Sequence, residues 1–266
     1  TRSSLIWCLL PCAVHAQDNA TLDAIIATKR FHVPGQGVQL DLHVSVLGSS
    51  AEWKANDHGF RQAHVEALTI IERDTAIVDF RKSDVSGPER ADTIKGDFLI
   101  EEHFLLQPGV YTLSVELHDL NGTAENRSVW KGPLVIPAKS KGISFSDALL
   151  TAGTHADAQG NQVPAAYTGT YYPPEVDKLG FYMEIYGADE VFGRDSMFTV
   201  NYQIEAYEKH TVKGQFKGVQ RTKAAPVVTV VKEFPIGGLP SGNYLLAVEA
   251  VDREGQVLAR QAQFIQ

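Results

Sequence analysis

Cysteine is nearly absent from this chain: of 266 residues only Cys8 and Cys12 are cysteines, and both lie near the start. Beyond residue 12, a disulfide framework, a cysteine zinc cluster and a cysteine nucleophile are therefore excluded. Runs of positive charge are missing as well. Lys and Arg total 24 against 32 Asp and Glu, giving a formal charge of −8. No basic stripe gathers, which argues against nucleic acid or anionic lipid as a partner. The nine histidines are scattered, without the helical i, i+4 spacing of a zinc site. There is no Gly-x-Ser-x-Gly elbow, and no Gly-rich loop opens a helix, because no segment sustains a helical period. Asp57, Asp189, Glu190 and Asp252 could contribute to a calcium site but lack the fixed spacing of a calcium loop. The expectation is a protein without catalytic residues, cofactor or metal.

What is present is export chemistry followed by β-structure. Arg2 precedes the apolar stretch Leu5 to Val14, which is too short to span a bilayer. Val14 and Ala16 are small enough for the −3 and −1 pockets of signal peptidase, so residues 1–16 are expected to be a signal peptide cleaved before Gln17. That cleavage removes both cysteines. A lipoprotein reading of Leu9-Leu-Pro-Cys12 is the weaker alternative, because Pro11 fits poorly before a modified cysteine. The expected location is the periplasm or the outer membrane, with membrane association indirect or through a partner.

Val38 to Val46 alternates apolar and polar residues, as does Tyr111 to His118, the signature of strands with one buried face. On this alternation His43 and His118 should face solvent. Further strands are expected at 60–72, 76–82, 98–106 and 127–136, each bounded by turn residues. An internal repeat then sets the domain count. Leu106, Gly109, Tyr111, Leu113, Val115, Glu116, Asp119 and Gly122 recur in constant register at Leu239, Gly242, Tyr244, Leu246, Val248, Glu249, Asp252 and Gly255. This segment resembles the tyrosine corner of immunoglobulin-like sandwiches, with Tyr111 and Tyr244 as the structural corner residues. The predicted fold is all-β, two tandem immunoglobulin-like β-sandwiches at 17–137 and 142–266, joined by a linker at 138–141.

The second copy carries a segment without periodicity, 151–177, expected to be a long loop. Its Tyr167, Tyr171 and Tyr172 are candidate contacts for a protein or glycan, against the plainer reading that they pack over a sheet edge. Three short motifs, Asp74-Thr75-Ala76, Asp92-Thr93-Ile94 and Asp195-Ser196-Met197, fall at predicted turns. They resemble the Asp-Ser/Thr-apolar acceptor at which periplasmic Bacteroidetes proteins are O-glycosylated, which makes Thr75, Thr93 and Ser196 candidate sites. Asn-x-Ser/Thr sequences at Asn19, Asn121 and Asn126 matter only in a eukaryotic secretory pathway.

Several segments together resemble the N-terminal β-sandwich region of the GWxTD-domain proteins of the Bacteroidetes. They are Val46-Leu-Gly-Ser-Ser50, Asp97-Phe-Leu-Ile100, Leu106–Asp119, Pro133-Leu-Val-Ile136, Tyr172-Pro-Pro, Phe181-Tyr-Met-Glu-Ile-Tyr186 and Leu239–Phe264. The signature Gly-Trp-x-Thr-Asp is absent; the tryptophans are Trp7, Trp53 and Trp130. The resemblance then implies either a short member or a chain truncated after its second sandwich. The resemblance implies an envelope protein and transfers no catalytic residue. The expected function is a non-enzymatic structural or protein-interaction module of the cell envelope, for example an accessory subunit of an outer-membrane or secretion complex, with other envelope proteins as partners. The alternative is a glycan-binding module using the 151–177 aromatics.

Overall fold

The structure, a computed structural model, describes residues 22–123, 125–156 and 162–266. The expected signal peptide, with Cys8 and Cys12, and Asn19 lie outside the described residues. In the first half the strands are β1 (Ala24–Val33), β2 (Gly37–Val46), β3 (Trp53–Ala55), β4 (Arg61–Arg73), β5 (Ala76–Ser86), β6 (Phe98–Leu106), β7 (Gly109–Asp119) and β8 (Arg127–Ile136). The second half contains β9 (Ser144–Phe145), β10 (Leu149–Ala156), β11 (Gln162–Ala166), β12 (Lys178–Tyr186), β13 (Met197–Ala206), β14 (Val212–Lys223), β15 (Val227–Pro235), β16 (Tyr244–Val251) and β17 (Val257–Ile265). Among the described residues the only α-helix is the short α1 (Ala188–Phe192).

The strand order repeats. The first half forms a sheet β1-β2-β6 and a second sheet in which β5, β4, β7 and β8 are successive neighbours and β3 also joins β4. The second half forms β10-β12-β15, with β9 also on β12 and β11 added outside β10, and a sheet β14-β13-β16-β17. Written in immunoglobulin letters, both halves are A-B-E and C′-C-F-G, so the fold is two tandem immunoglobulin-like β-sandwiches. In the second half one apolar cluster takes residues from both sheets, Phe181, Met183 and Val230 from one and Val200, Leu246 and Val248 from the other. Alternation along each strand directs these side chains inward.

Packing divides the chain differently from strand order. One compact unit contains Val44–Ile100, Thr112–Gly132 and the described residues up to Ala27; the other contains Thr28–His43, Glu101–Tyr111 and Pro133–Gln266. The expected boundary at 138–141 follows strand order, whereas these units follow packing.

Turn chemistry closes the hairpins. Asp74 and Thr75 both have positive φ, 49° and 72°, the backbone of a two-residue type I′ turn joining Arg73 to its partner Ala76. After β1, Gly37 has φ 141°, and a Cβ there would lie 2.6 Å from the Leu106 carbonyl oxygen, so only glycine fits.

Two expectations are corrected. The segment 151–177 is not a structureless loop: β10 runs into it and pairs antiparallel with β11 within it. A bulge between Thr151 and Thr154, with Gly153 at φ 72°, breaks the alternation from which the strand could have been read. His43 does not face solvent and is only 3% exposed. It lies on β2, the middle strand of its sheet, where Asp41 and His43 are buried on one face and Leu40, Leu42 and Val44 on the other. Alternation identifies two faces; it does not say that the polar one is wet.

Candidate functional site

Within the second unit, the outward face of β12 and the polar face of β2 line a cleft of about 490 Å³. Along β12, Leu179, Phe181, Met183 and Ile185 enter the core. Period-two geometry therefore puts Tyr182, Glu184 and Tyr186 together on the opposite face. Tyr182 and Glu184 line the cleft with Gln39, Asp41 and His32, and apolar wall is supplied by Phe31, Val33, Pro34, Leu149 and Val227.

The polar groups of this region hold one another. Tyr182 Oη donates to Glu184 Oε1 and Tyr186 Oη to Glu184 Oε2, each at 2.6 Å. The His32 backbone N–H donates to Tyr186 Oη at 2.7 Å, so the chain runs His32 to Tyr186 to Glu184. The Glu184 main chain is tied to Ser146 in both directions, N–H to Oγ and Ser146 N–H to carbonyl, each 2.9 Å. Burial, and then the neighbouring Glu184 carboxylate, push the Tyr182 hydroxyl up to about 12. The same causes in the same order raise Tyr186. Phe31 meets the Tyr182 ring edge-on at 5.6 Å, and His32 meets Tyr186 at 5.7 Å.

Asp41 occupies the other side of the cleft. Its Oδ1 accepts from Gln39 Nε2 at 2.8 Å and pairs with His103 Nδ1 at the same distance. One rung along the β2–β6 sheet, His43 Nε2 lies 3.4 Å from Glu101 Oε1. Arg30, beside this region on β1, forks onto Asp147. Chemically the cleft presents fixed carboxylate oxygens beside an aromatic and aliphatic wall, and among the described residues no Lys or Arg lines it.

The residues singled out from sequence are not gathered here. Tyr167 and Tyr172 pack against the core with their rings 4.6 Å apart, and Tyr167 Oη donates to the Tyr171 carbonyl. Tyr172 N–H bonds the Gln266 carbonyl at 2.7 Å, fastening the segment to the end of β17. Tyr171 is 57% exposed. Thr75 and Thr93 are exposed in turns, and Ser196 is half-buried beside the positive-φ Asp195. Tyr111 Oη donates to the Gln107 carbonyl at 2.7 Å and Tyr244 Oη to the Pro240 carbonyl at 2.6 Å, each reaching four residues upstream. Asp252 binds its own turn, and Glu190 pairs with Lys139 at 3.1 Å. Among the described residues no three His, Cys, Asp or Glu side chains are grouped to hold a metal ion.

Sequence reading missed Asp41, Tyr182 and Glu184. The alternation in Phe181-Tyr-Met-Glu-Ile-Tyr186 was a usable signal for three polar residues on one face. Nothing local ties that face to Asp41. No family model matches the chain, and no curated protein matches it. No helix among the described residues is long and apolar enough to cross a membrane, which says nothing of a β-barrel.

Proposed function

We propose that the protein is a non-enzymatic protein-interaction module of a bacterial cell envelope, acting as an accessory subunit of an outer-membrane or secretion assembly. The observation that carries this reading is the state of the cleft carboxylates. Both oxygens of Glu184 take tyrosine hydroxyls at 2.6 Å, and Asp41 is fixed by Gln39 and His103. Groups held in this way are preorganised acceptors for recognition, because their orientation is set before a partner arrives. The envelope setting rests on the expected signal peptide and on the resemblance to the GWxTD-domain proteins. In the same setting Thr75, Thr93 and Ser196 are proposed O-glycosylation sites, which intact-mass measurement of the native protein checks. Crosslinking and affinity purification from native membranes test the main reading. A stoichiometric partner is expected, and a protein that migrates alone after gentle extraction defeats it.

A glycan-binding reading is favoured only by the exposed ring of Tyr171. Its test is a glycan array with Tyr171→Ala beside the parent protein; equal signals from the two would remove it.

A further inference from the structure

The cleft on β2 and β12 also carries information about what enters it. Two of its donors are already turned to the carboxylates: one Gln39 Nε2 hydrogen goes to Asp41, and the Tyr182 hydroxyl donates to Glu184. What remains directed at an incoming group is mainly acceptor capacity. A carboxylate offers about four lone-pair positions, and Glu184 has one donor on each oxygen. Both partners of Asp41 fall on Oδ1, so Oδ2 has no donor among the described residues. Among the described residues no Lys or Arg lines the cleft. Arg30, next to the lining residue Phe31 on β1, is engaged by Asp147 at 2.7 and 2.9 Å. The rest of the lining is apolar, with Phe31, Leu149 and Val227 forming wall beside the two carboxylates. Its volume, about 490 Å³, lies within the range of sites that enclose a small group rather than a whole protein surface.

Resting on the interaction-module reading, we propose that the occupant is a lysine or arginine side chain of a partner polypeptide. The ammonium or guanidinium lies against Asp41 and Glu184, and its methylene stem lies along Phe31, Leu149 and Val227. Charge complementarity selects this occupant. A cation with an apolar stem satisfies both halves of the lining, whereas an anion faces two carboxylates and a purely apolar group leaves their remaining lone pairs, Asp41 Oδ2 among them, without a further donor. The chain's own formal charge of −8 favours approach of a basic partner over a second copy of itself.

The test is isothermal titration of the full chain with three blocked tripeptides, Gly-Lys-Gly, Gly-Arg-Gly and the uncharged Gly-norleucine-Gly, and with a neutral oligosaccharide. The cationic peptides are expected to bind, and to bind more weakly as salt rises. The norleucine peptide and the oligosaccharide are expected to stay below detection. Asp41→Asn and Glu184→Gln should each weaken cationic binding on the order of tenfold, with circular dichroism unchanged. Should either variant fail to fold, Leu149→Lys, which places a tethered cation in the cleft, serves as the second variant and should abolish peptide binding. Equal binding of the norleucine peptide, binding of the oligosaccharide alone, no peptide binding at all, or variants that bind like the parent overturn the inference. The same Asp41→Asn change carried into native membranes separates the two levels. A partner retained by the variant overturns the inference and leaves the module reading standing, while no partner for the parent chain defeats the module reading itself.

Discussion

Arg30 and Asp147 are joined through side chain and main chain at once. The guanidinium forks onto both carboxylate oxygens, Nε to Oδ2 at 2.7 Å and Nη2 to Oδ1 at 2.9 Å. The Arg30 backbone N–H also donates to Oδ2 at 2.9 Å, and Nη1 reaches the Val135 carbonyl at 3.1 Å. Hydrogen bonding to Asp147 raises the Arg30 pKa further above its usual range. Both side chains are mostly covered, so the pair is screened less than a surface bridge. Asp147→Ala is expected to cost about 2–3 kcal/mol, because it strands a guanidinium and a backbone N–H together. Arg30→Lys should recover little, since an ammonium cannot make the fork. Denaturant unfolding of the two single variants and the double variant checks this; a coupling energy near zero would contradict it.

The tyrosine corners give a second expectation. Tyr111 and Tyr244 are both buried, and each hydroxyl reaches a carbonyl four residues back across a loop. Removing either oxygen leaves that carbonyl without its partner. Tyr111→Phe and Tyr244→Phe should each lose about 1 kcal/mol. The two hydroxyls bond different carbonyls, Gln107 and Pro240, so the double variant should lose the sum. Thermal melts of all three proteins provide the comparison, and a strongly non-additive double variant would count against independent corners.

Thr75 leads to a stabilising substitution. It is β-branched, yet it has φ 72° at the second turn position between β4 and β5. That conformation brings Cβ against the backbone, and a branched side chain adds to the crowding. An Asp-Gly pair is among the preferred sequences for a type I′ turn. Thr75→Gly should therefore stabilise the protein by about 0.5–1 kcal/mol despite the extra freedom glycine gives the unfolded chain. A lower melting temperature for the variant would mean that the Thr75 side chain makes a compensating contact.

The repeat was legible in sequence because its residues do local work. Tyr111 reaches Gln107 and Asp252 reaches Glu254 and Gln256, all within a few positions, so constant spacing records the contact. Strand alternation likewise marked β2 and β7, and bounding turn residues marked β4, β5, β6 and β8. The cleft was not legible, because Asp41 and Glu184 lie on strands far apart in sequence and no spacing records their meeting. His43 was misread for a related reason: period two separates the faces of β2, but burial of the polar face depends on what packs there. The β10–β11 hairpin was hidden by its bulge, and small residues such as Ala152 and Gly153 carry little hydrophobic signal.

Tyr182 predicts behaviour in alkali. Its hydroxyl is raised from 10.0 to about 12, first by burial and then by the Glu184 carboxylate. The folded state therefore holds this proton more tightly than the unfolded state does. That contribution to stability is fully present below pH 10, and it declines as pH rises through the folded value near 12. Ultraviolet titration of phenolate should resolve a late-ionising fraction that Tyr182→Phe reduces. A Tyr182→Phe protein with the same late fraction as its parent would contradict the assignment.

Asp119 and Asp252 occupy the same repeat position with unequal surroundings, and the difference sets their expected costs. Asp119 is fully buried and accepts four donors: Glu52 N at 2.6 Å, Asn126 Nδ2 at 2.7 Å, Asn121 N at 2.9 Å and Gly122 N at 3.2 Å. It thereby fastens both the β7–β8 turn and the chain entering β3. Asp252 accepts two donors, Glu254 N and Gln256 N, in a turn open to solvent. The Asp252 bonds are open to water, whereas those of Asp119 are part-buried around a carboxylate that is itself fully covered. Asp119→Ala is accordingly expected to cost about 3–5 kcal/mol, and Asp252→Ala about 1 kcal/mol. Asp119→Asn should fall between them, since it keeps an acceptor oxygen but turns an amide toward donors. Hydrogen exchange offers a local readout: Asp119→Ala should release the amides of Glu52 and Asn121, while Asp252→Ala should release only those of Glu254 and Gln256. Equal losses of stability from the two alanine variants would show that the buried donors around Asp119 find other partners.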